Sequence, residues 1–173
     1  MKPPLALFVL VVCPILATAQ TEEHDLRTLL QDSAYVFNRF EEVTIGLDTQ
    51  IDNWSVPESA KKGFKGELSG ALRNVRAEKP SLNALLLKGD VSATDLLDVY
   101  SELTEVGIEL NDQSSNFADW GDSTKAVELA QLGAKTNVLA SSIGFVLREK
   151  IEAEEAQLTA CTAKLLPPIA KHK

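Results

Sequence analysis

The sequence predicts an all-α protein: an up-down-up-down four-helix bundle with a short extra helix between helices 2 and 3, following an N-terminal signal peptide. Three observations lead there. Apolar residues recur at alternating three- and four-residue spacing over four long stretches, joined by short connections. No stretch shows the period-two alternation of a half-buried strand. Aromatic residues are only 6% of a chain that is 45% hydrophobic, so the core must be built mostly from Leu, Val, Ile and Ala, which suits packed helices.

Residues 1–19 read as a cleavable signal, with Lys2, an apolar run from Leu5 to Leu16 and the small-residue triplet Ala17-Thr18-Ala19. The run is short for a bilayer span, and Gln20, Thr21, Glu22, Glu23 and His24 follow it directly. The expectation is a secreted or periplasmic protein beginning at Gln20, with no integral membrane anchor after cleavage. Residues 20–166 then form the bundle, and 167–173 a frayed C-terminal tail.

The first helix carries a stripe at Leu26, Leu30, Phe37, Phe40, Leu47, Ile51 and Trp54, with Ser33 and Thr44 completing its heptads. Ser55-Val56-Pro57-Glu58 then reads as a helix start, with Ser55 as the cap. The second helix presents Ala60, Phe64, Leu68, Ala71, Leu72 and Val75. Gly63, Gly66 and Gly70 weaken it and are expected to permit a close helix contact. Lys79-Pro80 is expected to end it, leaving a short helix over Leu82, Leu85, Leu86 and Leu87 that Gly89 stops.

Ser92-Ala93-Thr94-Asp95 starts the third helix, whose stripe is Leu96, Val99, Leu103, Val106, Leu110, Gln113, Phe117 and Trp120. Gly121 reads as a left-handed stop and Asp122 as the cap of a fourth helix running from Ser123 to Leu165. That helix has two adjacent stripes. Leu129, Leu132, Leu139, Ile143 and Val146 form one. Ala126, Ala130, Gly133, Ala140, Gly144, Leu147, Ile151, Leu158, Cys161 and Leu165 form the other. Because this helix is longer than its neighbours, either a glycine bends it or its last turns overhang and pack on the 82–87 leucines. Cys161, the lone cysteine after the signal, keeps step with Leu158 and Leu165 and is expected to be buried.

Composition excludes several chemistries. A formal net charge of -8, made more negative when Lys2 is removed with the signal, disfavours nucleic acid and anionic membranes as partners. The two histidines, His24 and His172, lie near the termini, and the one methionine is Met1. Haem, copper and di-iron bundles need such ligands on facing helices, so no cofactor or metal is expected. No Gly-x-Ser-x-Gly or phosphate loop occurs, and the chain is expected not to be an enzyme, short of catalysis by carboxylates alone.

The up-down-up-down order brings the ends of helices 1 and 3 to one pole, which collects Asp48, Asp52, Trp54, Asn116, Asp119, Trp120 and Asp122. Tryptophan faces beside acids suit a cation, a sugar or a cationic partner. The competing reading is that the tryptophans close the bundle end while the acids keep the protein soluble. Asn53-Trp54-Ser55 also matches a glycosylation acceptor. A further option is an apolar ligand held in the interior, where the small residues of helix 4 face Phe37 and Phe40. Together these readings point to an exported acidic binding or interaction module for an unknown protein, glycan or surface. Self-association through helix 4 or Cys161 is left open.

Overall fold

The computed structural model describes residues 13–165, with side chains over residues 26–162. The regular structure described is wholly helical: α1 (Cys13–Ile51), α2 (Glu58–Leu86), α3 (Ala93–Trp120) and α4 (Ser123–Leu165). Residues 1–12 of the expected signal and the expected tail at 167–173 lie outside the described residues.

The four helices assemble into a helical bundle around one core. On α1 the heptad stripe from Leu30 to Ile51 is buried throughout, as is Trp54 just beyond the helix, and Val36 and Val43 add a second buried line beside it. The two polar members of the stripe are satisfied locally. Ser33 Oγ donates to Leu29 O and Thr44 Oγ1 to Phe40 O, each at 2.7 Å, so neither brings an unpaired hydroxyl into the core. On α3 the stripe from Leu96 to Phe117 is buried, whereas Trp120 is half-exposed.

Contacts between neighbouring helices fix their relative direction. Asp52 and Trp54, just past the end of α1, meet Lys65 and Phe64 of α2, while Glu41 of α1 meets Arg76 and Lys79, so numbers rise along one helix as they fall along the other. The same holds for α3 and α4. A side chain at Gly133 would meet Leu110 and Asn111, one at Gly144 would meet Tyr100, and Ser114 Oγ donates to Ala126 O at 2.9 Å. Between α1 and α4, Arg39 Nη2 lies 3.2 Å from Glu128 Oε1, and Lys135 Nζ stands 4.4 Å from the centre of the Tyr35 ring.

Five local expectations are corrected. First, Pro80 lies inside α2, which continues to Leu86 with no separate helix over 82–87. Leu68, Val75 and Leu82 are buried at seven-residue intervals, with Leu85 in the same face, so burial holds one continuous helix despite the hydrogen bond that proline removes. Second, Ser55 does not cap α2. Pro57 occupies that position without a side-chain cap, and its carbonyl accepts the N–H groups of Ala60 and Lys61.

Third, Gly63, Gly66 and Gly70 make no close contact, because an added Cβ at any of them meets nothing within 4 Å. The close approach is elsewhere, between α3 and α4, where Gly107 faces Asn137 and Gly133 would put a Cβ 3.3 Å from Leu110 Cβ. The small residues of α4 at Gly133 and Gly144 therefore pack against α3, rather than against Phe37 and Phe40.

Fourth, Gly121 is not left-handed; its φ of -126° is negative, with a ψ of -141°. Glycine is required there by proximity, since a Cβ would stand 2.8 Å from Trp54 Nε1 and 2.9 Å from Phe117 Cδ1. Fifth, Cys161 is exposed. At about 1.5 Å per residue, the 43 residues of α4 outrun the 28 of α3 by about 22 Å. Since α3 begins at Ala93, the register that pairs Tyr100 with Gly144 exhausts it near Ile151, and residues 151–162 are all exposed. The last turns of α4 thus overhang without packing on the 82–87 leucines. The remaining starts follow the sequence: Ser92 and Asp95 form a reciprocal capping box on α3, and Asp122 Oδ1 accepts from Thr124 N at 2.7 Å on α4.

Candidate functional site

The structure brings Trp54 to Phe117 near the end of α3 and spends it on packing. Its indole is 5% exposed and meets Phe64 and Phe117 edge-on, with centroids 5.3 and 4.8 Å apart. Trp120 is exposed and is not among the ring partners of Trp54. Asp52 is held by Lys65, 2.7 Å from its Oδ1, and Asp122 is held by the start of α4. Asp48 and Asp119 are exposed, and Asn116 is half-buried. Among the described residues no three His, Cys, Asp or Glu side chains converge in a way that could hold a metal ion. The surface left at this pole is Trp120 with scattered solvated acids.

A larger feature lies toward the opposite end. The start of α1, the α2–α3 connection and the upper half of α4 enclose an open cleft of about 1550 Å³. Its floor is apolar, with Leu26, Leu86, Val91, Val138, Phe145 and Val146. Leu87 on its edge is 89% exposed, Val138 68% and Phe145 58%. Both signs of charge line the rim, including Arg27, Lys88, Glu149 and a pair between Lys150 Nζ and Asp90 Oδ1 at 3.4 Å. Sequence reasoning missed this cleft because three separate segments build it. Val138 and Phe145, seven residues apart and outside both inward stripes of α4, were the available signal.

The α2–α3 seam has a different electrostatic character. Along α1–α2, acid meets base: Lys79 and then Arg76 hydrogen-bond Glu41 and hold its carboxyl below the ordinary range. Across α2–α3, acid meets acid, and no ion pair joins the two helices among the described residues. Glu102 is 9% exposed and makes no hydrogen bond or ion pair. Desolvation, then the charges of Glu105 and Glu78, pushes its pKa up to about 7. Two turns along α3, burial raises the Glu109 pKa against a hydrogen bond from Gln113, with Glu67 and Asp112 adding repulsion. Gln113 is buried, and its Oε1 has no donor.

No known protein family matches the chain, and no curated protein or solved structure matches it either.

Proposed function

We propose that this chain is an exported, non-enzymatic binding module: an up-down-up-down bundle whose working surface is the apolar cleft between α1, the α2–α3 connection and α4. Export to the periplasm or the cell exterior rests on the signal pattern of residues 1–19. The opposed numbering of adjacent helices supports the up-down-up-down order.

The observation that carries the reading is the exposure of Leu87, Val138 and Phe145 around one cleft of an otherwise acidic protein. Contiguous apolar surface of this kind marks contact sites. An apolar floor within a rim of both charge signs suits an amphipathic segment of a partner protein, whose own charges find complements around its apolar face. An anionic membrane is disfavoured by the net charge. The tight α3–α4 contact at Gly133 and Gly144 favours surface binding over carriage of an apolar ligand inside the bundle.

The test is native mass spectrometry of the exported protein from its own source, beside the double variant Leu87→Glu/Phe145→Glu. A co-purifying polypeptide is expected on the wild type and is expected to be lost from a variant of unchanged melting temperature. No added mass, or an added mass that the variant retains, overturns the reading. N-terminal sequencing from Gln20 is the companion check on export.

A further inference from the structure

A second contact surface, independent of the cleft above, follows from the two halves of α4. Between α3 and α4 runs an open groove of about 820 Å³, lined by Tyr100 and Thr104 of α3 and by Asn137, Gly144, Arg148 and Ile151 of α4. Gly144 makes the dip, since an added Cβ there would meet the Tyr100 ring at 3.0 Å. Tyr100 is 36% exposed and Ile151 42%, so the apolar floor is open to solvent. Beyond Ile151 the same line of α4 becomes a ridge. Residues 151–162 are all exposed, and Leu158 at 68% is the largest apolar side chain among them after Ile151.

Asn137, Gly144, Ile151 and Leu158 stand at seven-residue intervals, so groove and ridge share one face of one helix and meet at Ile151. They also match in length. At about 1.5 Å per residue the groove from Asn137 to Ile151 runs about 21 Å, and so does α4 from Ile151 to its end at Leu165. A two-fold axis at Ile151 therefore lays each copy's ridge in the other's groove, with Leu158 over the partner's Gly144. Each bundle ends near Ile151, so the two lie end to end. The charges agree with this register. Arg148 is exposed beside the groove and Glu155 is exposed on the ridge, and neither forms an ion pair among the described residues. The axis brings Arg148 to within about 1.5 Å of the level of the partner's Glu155, twice in each dimer. A parallel pairing would instead set Arg148 beside the partner's Arg148. An unrelated protein would fill the groove or cover the ridge, whereas a second copy does both with one contact.

We propose that the chain forms a two-fold dimer through antiparallel α4 helices. Ile151 lies beside the partner's Ile151, Leu158 enters the groove between the partner's Gly144 and the partner's Tyr100, and Arg148 pairs with the partner's Glu155. Cys161 stands aside from this contact, turned about 120° from Glu155 around the helix, and the two thiols are about 30 Å apart along it. No disulfide holds the dimer.

The experiment is sedimentation velocity of the exported protein across micromolar concentrations, in reducing agent. A concentration-dependent dimer is expected in the wild type. Leu158→Glu should weaken it about tenfold or more. Arg148→Glu and Glu155→Arg should each weaken it by a similar factor, and Arg148→Glu/Glu155→Arg, which restores opposite charges across the axis, should return to within about threefold of the wild type. The two positions stand about 10 Å apart within one helix, so rescue reports pairing between copies. All three residues are exposed and lie outside the apolar cleft, so the variants are expected to keep the wild-type melting temperature. A second copy doubles the chain's own mass, whereas an occupant of the cleft adds a different one, so the two readings fail separately. A monomer at every concentration, a dimer that reducing agent abolishes, an unchanged dimer in Leu158→Glu, or a double variant no tighter than the single ones overturns the proposal.

Discussion

Gly121 and Trp54 are locked together at the end of the bundle, where a single added carbon at Gly121 would stand 2.8 Å from the indole Nε1. The φ there is negative, so the requirement for glycine is steric and comes from the Trp54 indole beyond the end of α1 together with the Phe117 ring. Gly121→Ala is therefore expected to cost about 1–3 kcal/mol as overpacking, and Trp54→Ala about 3–5 kcal/mol as a cavity. The two should not add. With the indole gone, one of the two clashes met by Gly121→Ala is relieved and the Phe117 ring is left free to turn aside, so a double-mutant cycle by chemical denaturation should show a coupling of about 0.5 kcal/mol or more. Additive losses would show that the contact is not what restricts position 121. Trp120→Ala, at an exposed position, should change stability by no more than about 0.5 kcal/mol.

The glycines of α2 and α4 should respond to the same substitution with opposite sign. Gly66 lies inside α2 with open space where its Cβ would be, so Gly66→Ala gains helix propensity at no steric cost, roughly 0.5–1 kcal/mol of added stability. Gly133→Ala puts its carbon 3.3 Å from Leu110 Cβ, which is fixed to the α3 backbone and buried, so the helices must separate. That variant should lose stability despite its better propensity. Equal responses at the two sites, read from melting temperatures, would contradict the packing described.

The pH dependence follows from two opposed sets of carboxylates. Glu102, raised from 4.5 to about 7, and Glu109, also raised, bind protons more tightly folded than unfolded. Their contribution is fully present below the unfolded value and is lost as the pH rises through the folded value. Asp95 is lowered to about 2 by Lys88 first and then Ser92, and Glu41 is lowered by Lys79 and Arg76. Their contribution is lost as the pH falls through those lowered values. Stability at fixed ionic strength should thus peak in mildly acidic solution and decline by about 1–3 kcal/mol toward pH 8. Glu102→Gln should flatten the alkaline side only, and an unchanged profile in that variant would assign the decline to other groups.

How far the sequence spoke depended on whether a feature belonged to one helix or to several. The stripes of α1 and α3 were readable because strict heptads name their own inward positions, and the Ser92–Asp95 box because its partners are three residues apart. Cys161 was misread because periodicity marks a face without saying whether a neighbour lies opposite it. α4 keeps its stripe beyond the point where α3 has ended. The acidic seam could not be seen in either helix alone. Glu67, Glu78, Glu102 and Glu109 resemble ordinary solvated residues until α2 and α3 are placed side by side.

Exposure of Cys161 has a direct readout. The thiol should react with a disulfide reagent in the native protein at a rate close to that in denaturant, since no packing shields it. Cys161→Ser should leave unfolding free energy within about 0.5 kcal/mol of the wild type. The α4 dimer proposed above does not use the thiol, so that variant should keep the wild-type association. Slow labelling of a monomer would show the site to be covered.

Pro80 offers the sharpest comparison between the expected and observed forms of α2. Were residues 82–87 a separate helix, Pro80 would stand at its start, where a fixed φ and a missing N–H are harmless, and Pro80→Ala would be neutral or destabilising. In the continuous helix Glu58–Leu86, the proline instead removes the bond to Arg76 O and crowds that carbonyl. Pro80→Ala restores the donor in the middle of a helix whose register is already held by Leu68, Val75 and Leu82. A gain of about 1–3 kcal/mol is expected, the helical cost of proline reduced by the added freedom of the unfolded chain. Amide exchange across residues 76–84 should slow in the same variant. Destabilisation with unchanged exchange would instead restore the break at Lys79.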